Sequence, residues 1–153
     1  EHKTLRGLPG AEEIDPEELL ELECDLLAPC ALEQVIDGDN AHLIKASIIC
    51  EGANCPVTHD ADAILEDAGV LILPDILATA ERVVVSYFEW VQGLQEYFWK
   101  EHEVNERLDE IITRAFDETW HVSQSRKLPM RVAAYGLAVQ RVAEATTTRG
   151  IYP

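Results

Sequence analysis

Ser86 is an isolated hydroxyl in Val83-Val84-Val85-Ser86-Tyr87-Phe88-Glu89-Trp90, set among apolar side chains. Upstream, Gly69-Val70-Leu71-Ile72-Leu73 reads as a buried strand, and the aromatic-rich segment that follows reads as a long helix. The spacing puts Ser86 by a strand-to-helix turn that begins at Pro74. In open α/β sheets, ligands bind outside the carboxyl ends of the strands, where such a turn sits. A hydroxyl there can contact a ligand; equally, it can cap or back-bond its own helix. No nucleophile–base pair stands out. The His residues (His2, His42, His59, His102, His121) lack ligand spacing, so no metal site is expected. Cys24, Cys30, Cys50 and Cys55 form no C-x-x-C pair and read as reduced thiols of a cytosolic protein. The glycine-rich phosphate fingerprint G-x-G-x-x-G is missing, so the residues alone name no reaction.

Short elements must position Ser86. Asp15-Pro16-Glu17-Glu18 is a helix start: Asp15 can cap, Pro16 suits the first turn, and the acids face the positive end of the helix dipole. Residues 1 to 15 read as a loop. Cys24 to Ala28, Ser47 to Cys50 and Val70 to Leu73 read as three strands. A helix-like run is expected around Asp39 to Lys45, and another from Thr58 or Asp60 to a stop at Gly69. Strands that are nearly all apolar fit a parallel sheet covered on both faces. Their alternation with short helices points to βαβ units. After Arg82 the pattern becomes helical only: Val83 to Phe98, Glu101 to about Lys127, and Met130 to Thr147. In the second, Val104, Leu108, Ile111, Ala115, Phe116 and Thr119 share one stripe. Trp90, Trp99 and Trp120 read as packing residues or oligomer contacts. The expected fold class is therefore α/β: the second half of a doubly wound, Rossmann-like parallel sheet, then a three-helix carboxyl-terminal segment. Residues 1–80 form the first part and 81–153 the second.

Composition narrows the partners. The chain has 153 residues, one domain's worth, and is 47% hydrophobic. With 29 acidic against 12 basic residues, its formal net charge is -17. Nucleic acid and anionic membranes call for basic patches, so neither is an expected partner. No apolar run approaches the ~20 residues that cross a bilayer, and no signal peptide is recognisable.

The segment Val83 to Trp90 closely resembles V-T-V-S-Y-F-E-W of bacterial glutamate dehydrogenases. Pro29-Cys30-Ala31-Leu32-Glu33-Gln34 and Glu51-Gly52-Ala53-Asn54-Cys55-Pro56-Val57-Thr58 resemble the same family, in the same order. So do Arg131 to Ala145 (R-V-A-A-Y-G-L-A-V-Q-R-V-A-E-A) and Arg149 to Pro153. The likeness covers nearly the whole chain. It implies part of an enzyme that interconverts glutamate with 2-oxoglutarate and ammonia, using NAD or NADP. It also implies a cytoplasmic hexamer, either homo-hexameric or hetero-hexameric with a related subunit. By resemblance, Ser86 and Val83 face the substrate, and Cys30, Ala31, Gln34, Asn54 and Thr79 face the cofactor. No group that performs the chemical step is carried by this stretch, and the 153 residues alone are expected to be inactive.

Departures from the family pattern cluster in one place. The family reads N-A-G-G where this chain has Thr79-Ala80-Glu81-Arg82, so two glycines give way to long charged side chains. Gln34 stands where the family has Asn. A non-catalytic subunit that co-assembles with an active dehydrogenase is the alternative expectation.

Overall fold

The computed structural model describes residues 7–150. Three short strands form one parallel sheet in the order β1-β2-β3: β1 is Leu26–Leu27, β2 is Ile48–Cys50 and β3 is Leu71–Leu73. Leu26 pairs with Ile48, and Ile48 in turn with Leu71, so the apolar runs align side by side. The strands are shorter than the apolar stretches from which they were expected, because hydrogen-bonded pairing stops where the chain peels away toward its next element.

Helix α1, Pro16–Leu20, starts as its sequence implies: the Asp15 carboxylate accepts the Glu17 N–H at 3.0 Å. Residues 7 to 15 are non-helical, as expected of a loop; residues 1–6 and 151–153, with part of the resemblance after Arg149, lie outside the described residues. The helix expected at 39–45 is instead a single 3₁₀ turn, Ala41–Leu43. Local side-chain bonds explain the difference. Asp37 Oδ1 accepts the N–H groups of Asp39 and Asn40, and Asn40 returns bonds to Asp37 N–H and the Val35 carbonyl. Asp and Asn that bond nearby backbone in this way favour a turn over a continuing helix.

Helix α2, His59–Asp67, is capped by the Thr58 hydroxyl, which accepts the Ala61 N–H. Gly69 ends it at φ +79°, the left-handed conformation that glycine adopts without penalty. Ala61 and Leu65, one turn apart, bury the inner face of α2 against Ile36, Ala41, Ile49, Val57 and Ile72. This cluster is the core beneath the sheet. Leu27, Val35, Ile44, Ile64 and Val70 seal its rim.

Beyond β3 the structure corrects the expected turn. The chain becomes helical at once, with α3 at Asp75–Ala78 and α4 at Ala80–Gln95. Pro74 precedes the first turn, where a residue that lacks an N–H costs nothing. Ser86 therefore lies inside α4, as the helix expected from Val83 implies, and not at the turn after β3; its side chain is exposed. Helix α5 spans Glu101–Arg126 and α6 spans Met130–Arg149. The α5 stripe from Val104 to Thr119 is half-buried or better throughout. Ser123 ties the α5–α6 joint by donating to the Leu128 carbonyl at 2.6 Å. Met130, Ala133 and Ala134 bury the base of α6, which packs on α5, α3 and β3. Trp99 meets Phe88 edge-to-face at 5.4 Å and carries the Arg107 guanidinium 4.4 Å above its ring. Trp90 is 59% exposed, within an apolar stripe that includes Val83, Tyr87 and Leu94.

Candidate functional site

Two strands leave the sheet side by side and make a cleft. After β1 the chain runs into buried Pro29, whose carbonyl accepts the Ala53 N–H at 2.8 Å. This bond laces the exit of β1 to the exit of β2. Here Gly52 is required by space: a Cβ on it would sit 2.4 Å from Cys30 Sγ. With no side chain at 52, Cys30 can lie against the loop. The result is a cleft of about 340 Å³ lined by Cys30, Ala31, Leu32, Glu33, Ala53, Asn54 and Arg82.

Arg82 reaches this cleft from the first turn of α4 and donates to the Gly52 carbonyl at 2.5 Å. Its Nε is 4.0 Å from Glu81, and both side chains remain largely exposed. Asn54 is exposed, and its side-chain amide makes no hydrogen bond to another described residue. Its neighbours are held: Ala53 by Pro29, and Cys55 by Asp75 and Gln34. The loop thus presents a donor and an acceptor outward on a fixed backbone.

Behind the cleft lies a buried ionic cluster. Glu51, at the end of β2, is completely buried. Arg131, from the first turn of α6, donates to Glu51 Oε1 at 2.7 Å and Oε2 at 2.9 Å, and to Asp62 at 2.7 and 3.0 Å. Asp75 N–H donates to Glu51 Oε2 at 2.7 Å. The Asp75 carboxylate in turn accepts the N–H groups of Cys55 and Ile76, and lies 3.8 Å from Arg131. Every buried side-chain nitrogen and oxygen among the described residues has a partner. A fully buried acid is tolerable only when paired and hydrogen-bonded in this way. Burial works against the Arg131 charge, but the bonds from Glu51 and Asp62 outweigh it and raise its pKa. The Cys55 thiol is pushed up chiefly by the negative Asp75 beside it. Burial is the main cause of the upward shift at Cys50 and at Tyr135.

Of the residues singled out from the sequence, the cleft brings together Cys30, Ala31 and Asn54. Gln34 sits beside it, with φ +53° and its N–H donating to the Cys55 carbonyl. Thr79 joins α3 to α4 and spends its hydroxyl on the Asp75 carbonyl at 2.8 Å. Val83 and Ser86, at helical spacing on α4, are both exposed and line no part of the cleft. Glu51, Asp75 and Arg131 were passed over. One signal was available: an acid closing an otherwise apolar strand needs a cation, and Arg131 opens a helix just after Pro129.

All four cysteines are free. Among the described residues, no group of three or more His, Cys, Asp or Glu is placed to hold a metal, and no helix is long and apolar enough to cross a membrane.

A parallel sheet flanked by helices, with a polar cleft at the carboxyl ends of its strands, defines an α/β ligand-binding unit. The sequence profile of the Glutamate/Leucine/Phenylalanine/Valine dehydrogenases matches residues 1–150, and the chain belongs to this oxidoreductase family. It is 52% identical over 139 residues to an NAD-specific glutamate dehydrogenase of Staphylococcus aureus, covering 91% of this chain and 34% of that protein. Over all 153 residues it is 50% identical to the glutamate dehydrogenase of Thermotoga maritima, covering 37% of that protein. The hetero-hexameric glutamate dehydrogenase of Thermus thermophilus, in its Leu-bound form, superposes with a TM-score of 0.88 at 36% identity. That match covers 94% of this chain and 35% of the other. The chain thus spans about a third of the length of the relatives it matches. Relatives named as dehydrogenases do not favour the alternative of a non-catalytic subunit.

Proposed function

We propose that this chain is the part of an NAD-linked glutamate dehydrogenase that holds the nicotinamide end of the cofactor. One observation carries the reading: the exits of β1 and β2 gather Cys30, Ala31 and Asn54 around one cleft. Doubly wound dinucleotide folds are built from two mononucleotide-binding halves, and the first carries the glycine fingerprint and the pyrophosphate. A unit without that fingerprint fits the second half, which takes the nicotinamide. In this reading residues 1–80 are the second half of the cofactor domain, and 81–153 are helices that pack on it and on a substrate domain.

The residues present fit such a group. Gly52, with no side chain, lets Cys30 lie against the loop at the cleft, and Asn54 offers an amide that both donates and accepts. In this reading Gln34, next to Glu33 of the cleft, and Thr79, three residues before Arg82, also serve the cofactor, and Ser86 with Val83 presents α4 to the glutamate or 2-oxoglutarate. When bound, the dinucleotide supplies the hydride acceptor, and the chain supplies position. A neutral Ser86 hydroxyl would donate a directional bond to a substrate carboxylate without adding charge. The relative named NAD-specific supports NAD over NADP. The hetero-hexameric relative supports assembly into a hexamer, of identical or related subunits, and a cytoplasmic setting agrees with four free thiols.

The test is glutamate-dependent reduction of NAD by the full-length protein, alone and with Asn54→Ala. Turnover that weakens in the variant supports the reading. A well-folded full-length protein that reduces neither NAD nor NADP with glutamate overturns it.

A further inference from the structure

We infer that Asp75 and Arg131 are positioning residues for Asn54, and that helix α6 thereby sets the geometry of the cleft. The inference rests on the reading of Asn54 as a ligand contact. It adds a route, from the last helix to the cleft loop, that no residue of the cleft itself reveals.

The route is short and continuous. Arg131 grips Glu51 through two bonds, at 2.7 and 2.9 Å. Glu51 Oε2, the oxygen at the longer of these, also accepts the Asp75 N–H at 2.7 Å. Asp75 Oδ2 then accepts the Cys55 N–H at 2.9 Å. Cys55 adjoins Asn54 and sits at φ +45°, a backbone angle that is uncommon for a residue with a side chain. Two bonds hold it there: its N–H donates to Asp75, and its carbonyl accepts the Gln34 N–H. On the other side of Asn54, Ala53 is tied to the Pro29 carbonyl. With both neighbours fixed, Asn54 is aimed by backbone alone, since its side chain bonds no other described residue.

Two features set this cluster apart from ordinary core packing. Arg131 meets carboxylates from three separate elements, β2, α2 and α3, so a shift of α6 is felt at all of them. The last link goes to the main-chain amide of the cleft loop, and not to another core side chain. The bond to Cys55 N–H acts on the backbone of the loop that carries Asn54.

A double-mutant cycle on the full-length protein separates positioning from mere stability. The variants are Asn54→Ala, Asp75→Asn and their combination, with NADH as the titrated probe. Asp75→Asn keeps the size of the side chain but cannot accept from Cys55 and Ile76 together. It is expected to weaken NADH binding by about tenfold, since small misplacements of a contact group carry penalties of this order. In the Asn54→Ala background the same change should have little further effect, because the group it aims is gone. Arg131→Lys, which retains the charge but loses the fork, should weaken NADH binding in the same non-additive way. Thermal melts run alongside report stability. If the effects of Asp75→Asn and Asn54→Ala simply multiply, Asp75 acts on the fold alone and the inference fails. If Asn54→Ala leaves NADH binding unchanged while wild type binds, Asn54 is no contact and the inference falls with it. If wild type binds no NADH, the cofactor reading itself is overturned. Should Asp75→Asn fail to fold, the Arg131→Lys cycle decides alone by the same criterion.

Discussion

Removing the Arg131 fork has a cost that follows from its surroundings. Arg131→Leu deletes four hydrogen bonds of 3.0 Å or less and leaves Glu51 with one donor, the Asp75 N–H. Asp62 is 22% exposed and can turn to water, so it recovers much of its loss. Glu51 is 0% exposed and has no such recourse. Breaking one partner of a buried pair costs about 3 to 5 kcal/mol, and the accessible Asp62 points to the lower end, about 3 kcal/mol. At roughly 1.4 kcal/mol per tenfold, local opening becomes more frequent by on the order of 100-fold. Amide hydrogen exchange in the full-length protein reads this directly. The faster exchange should be confined to amides that the cluster holds: those of β2, Cys55 and Asp75. Adding Glu51→Gln should slow exchange again in part, because a neutral amide is less costly to bury while an acceptor for Asp75 N–H remains. Exchange within about threefold of wild type at these amides, or no slowing on adding Glu51→Gln, would refute the claim that Glu51 depends on Arg131.

Other expectations follow from single contacts. Because Asp75 raises the Cys55 pKa, Asp75→Asn should speed alkylation of Cys55 at pH 8, followed by peptide mass spectrometry; an unchanged rate would contradict the contact. The same shift favours the folded state while Cys55 is protonated. Its contribution is present below the ordinary value of 9.0 and is lost as pH rises through the raised value, so Cys55→Ser should flatten the alkaline fall in stability. Gly52→Ala should push Cys30 Sγ aside and weaken NADH binding, with Cys30→Ala in the same molecule relieving much of the loss. Arg82→Ala should alter NADH binding yet change stability by less than about 1 kcal/mol, because its bond to Gly52 is largely exposed. The 153-residue chain by itself should form no NADH from glutamate and NAD, whereas appreciable turnover would show that it needs no other domain.

Periodicity and end signals were enough for much of the architecture. Apolar runs at Leu26, Ile48 and Leu71 became the three parallel strands, since buried strands need apolar residues on both faces. Asp15, Thr58 and Gly69 marked helix ends through bonds and angles that depend only on nearby residues. The short motifs around Cys30 and Asn54 likewise carried the likeness to the family. Tertiary structure decided the rest. It packed the short helix α3, Asp75–Ala78, directly after β3 and so moved the start of the helix that holds Ser86 from Val83 to Ala80. It paired Arg131 with Glu51 across 80 positions, a partnership that local spacing cannot encode. It also brought Arg82 to Gly52 and Cys30 against the same glycine, which gives the cleft its shape. Local bonds are written in neighbouring residues, whereas the satisfaction of a buried charge depends on which distant elements the packed core brings together.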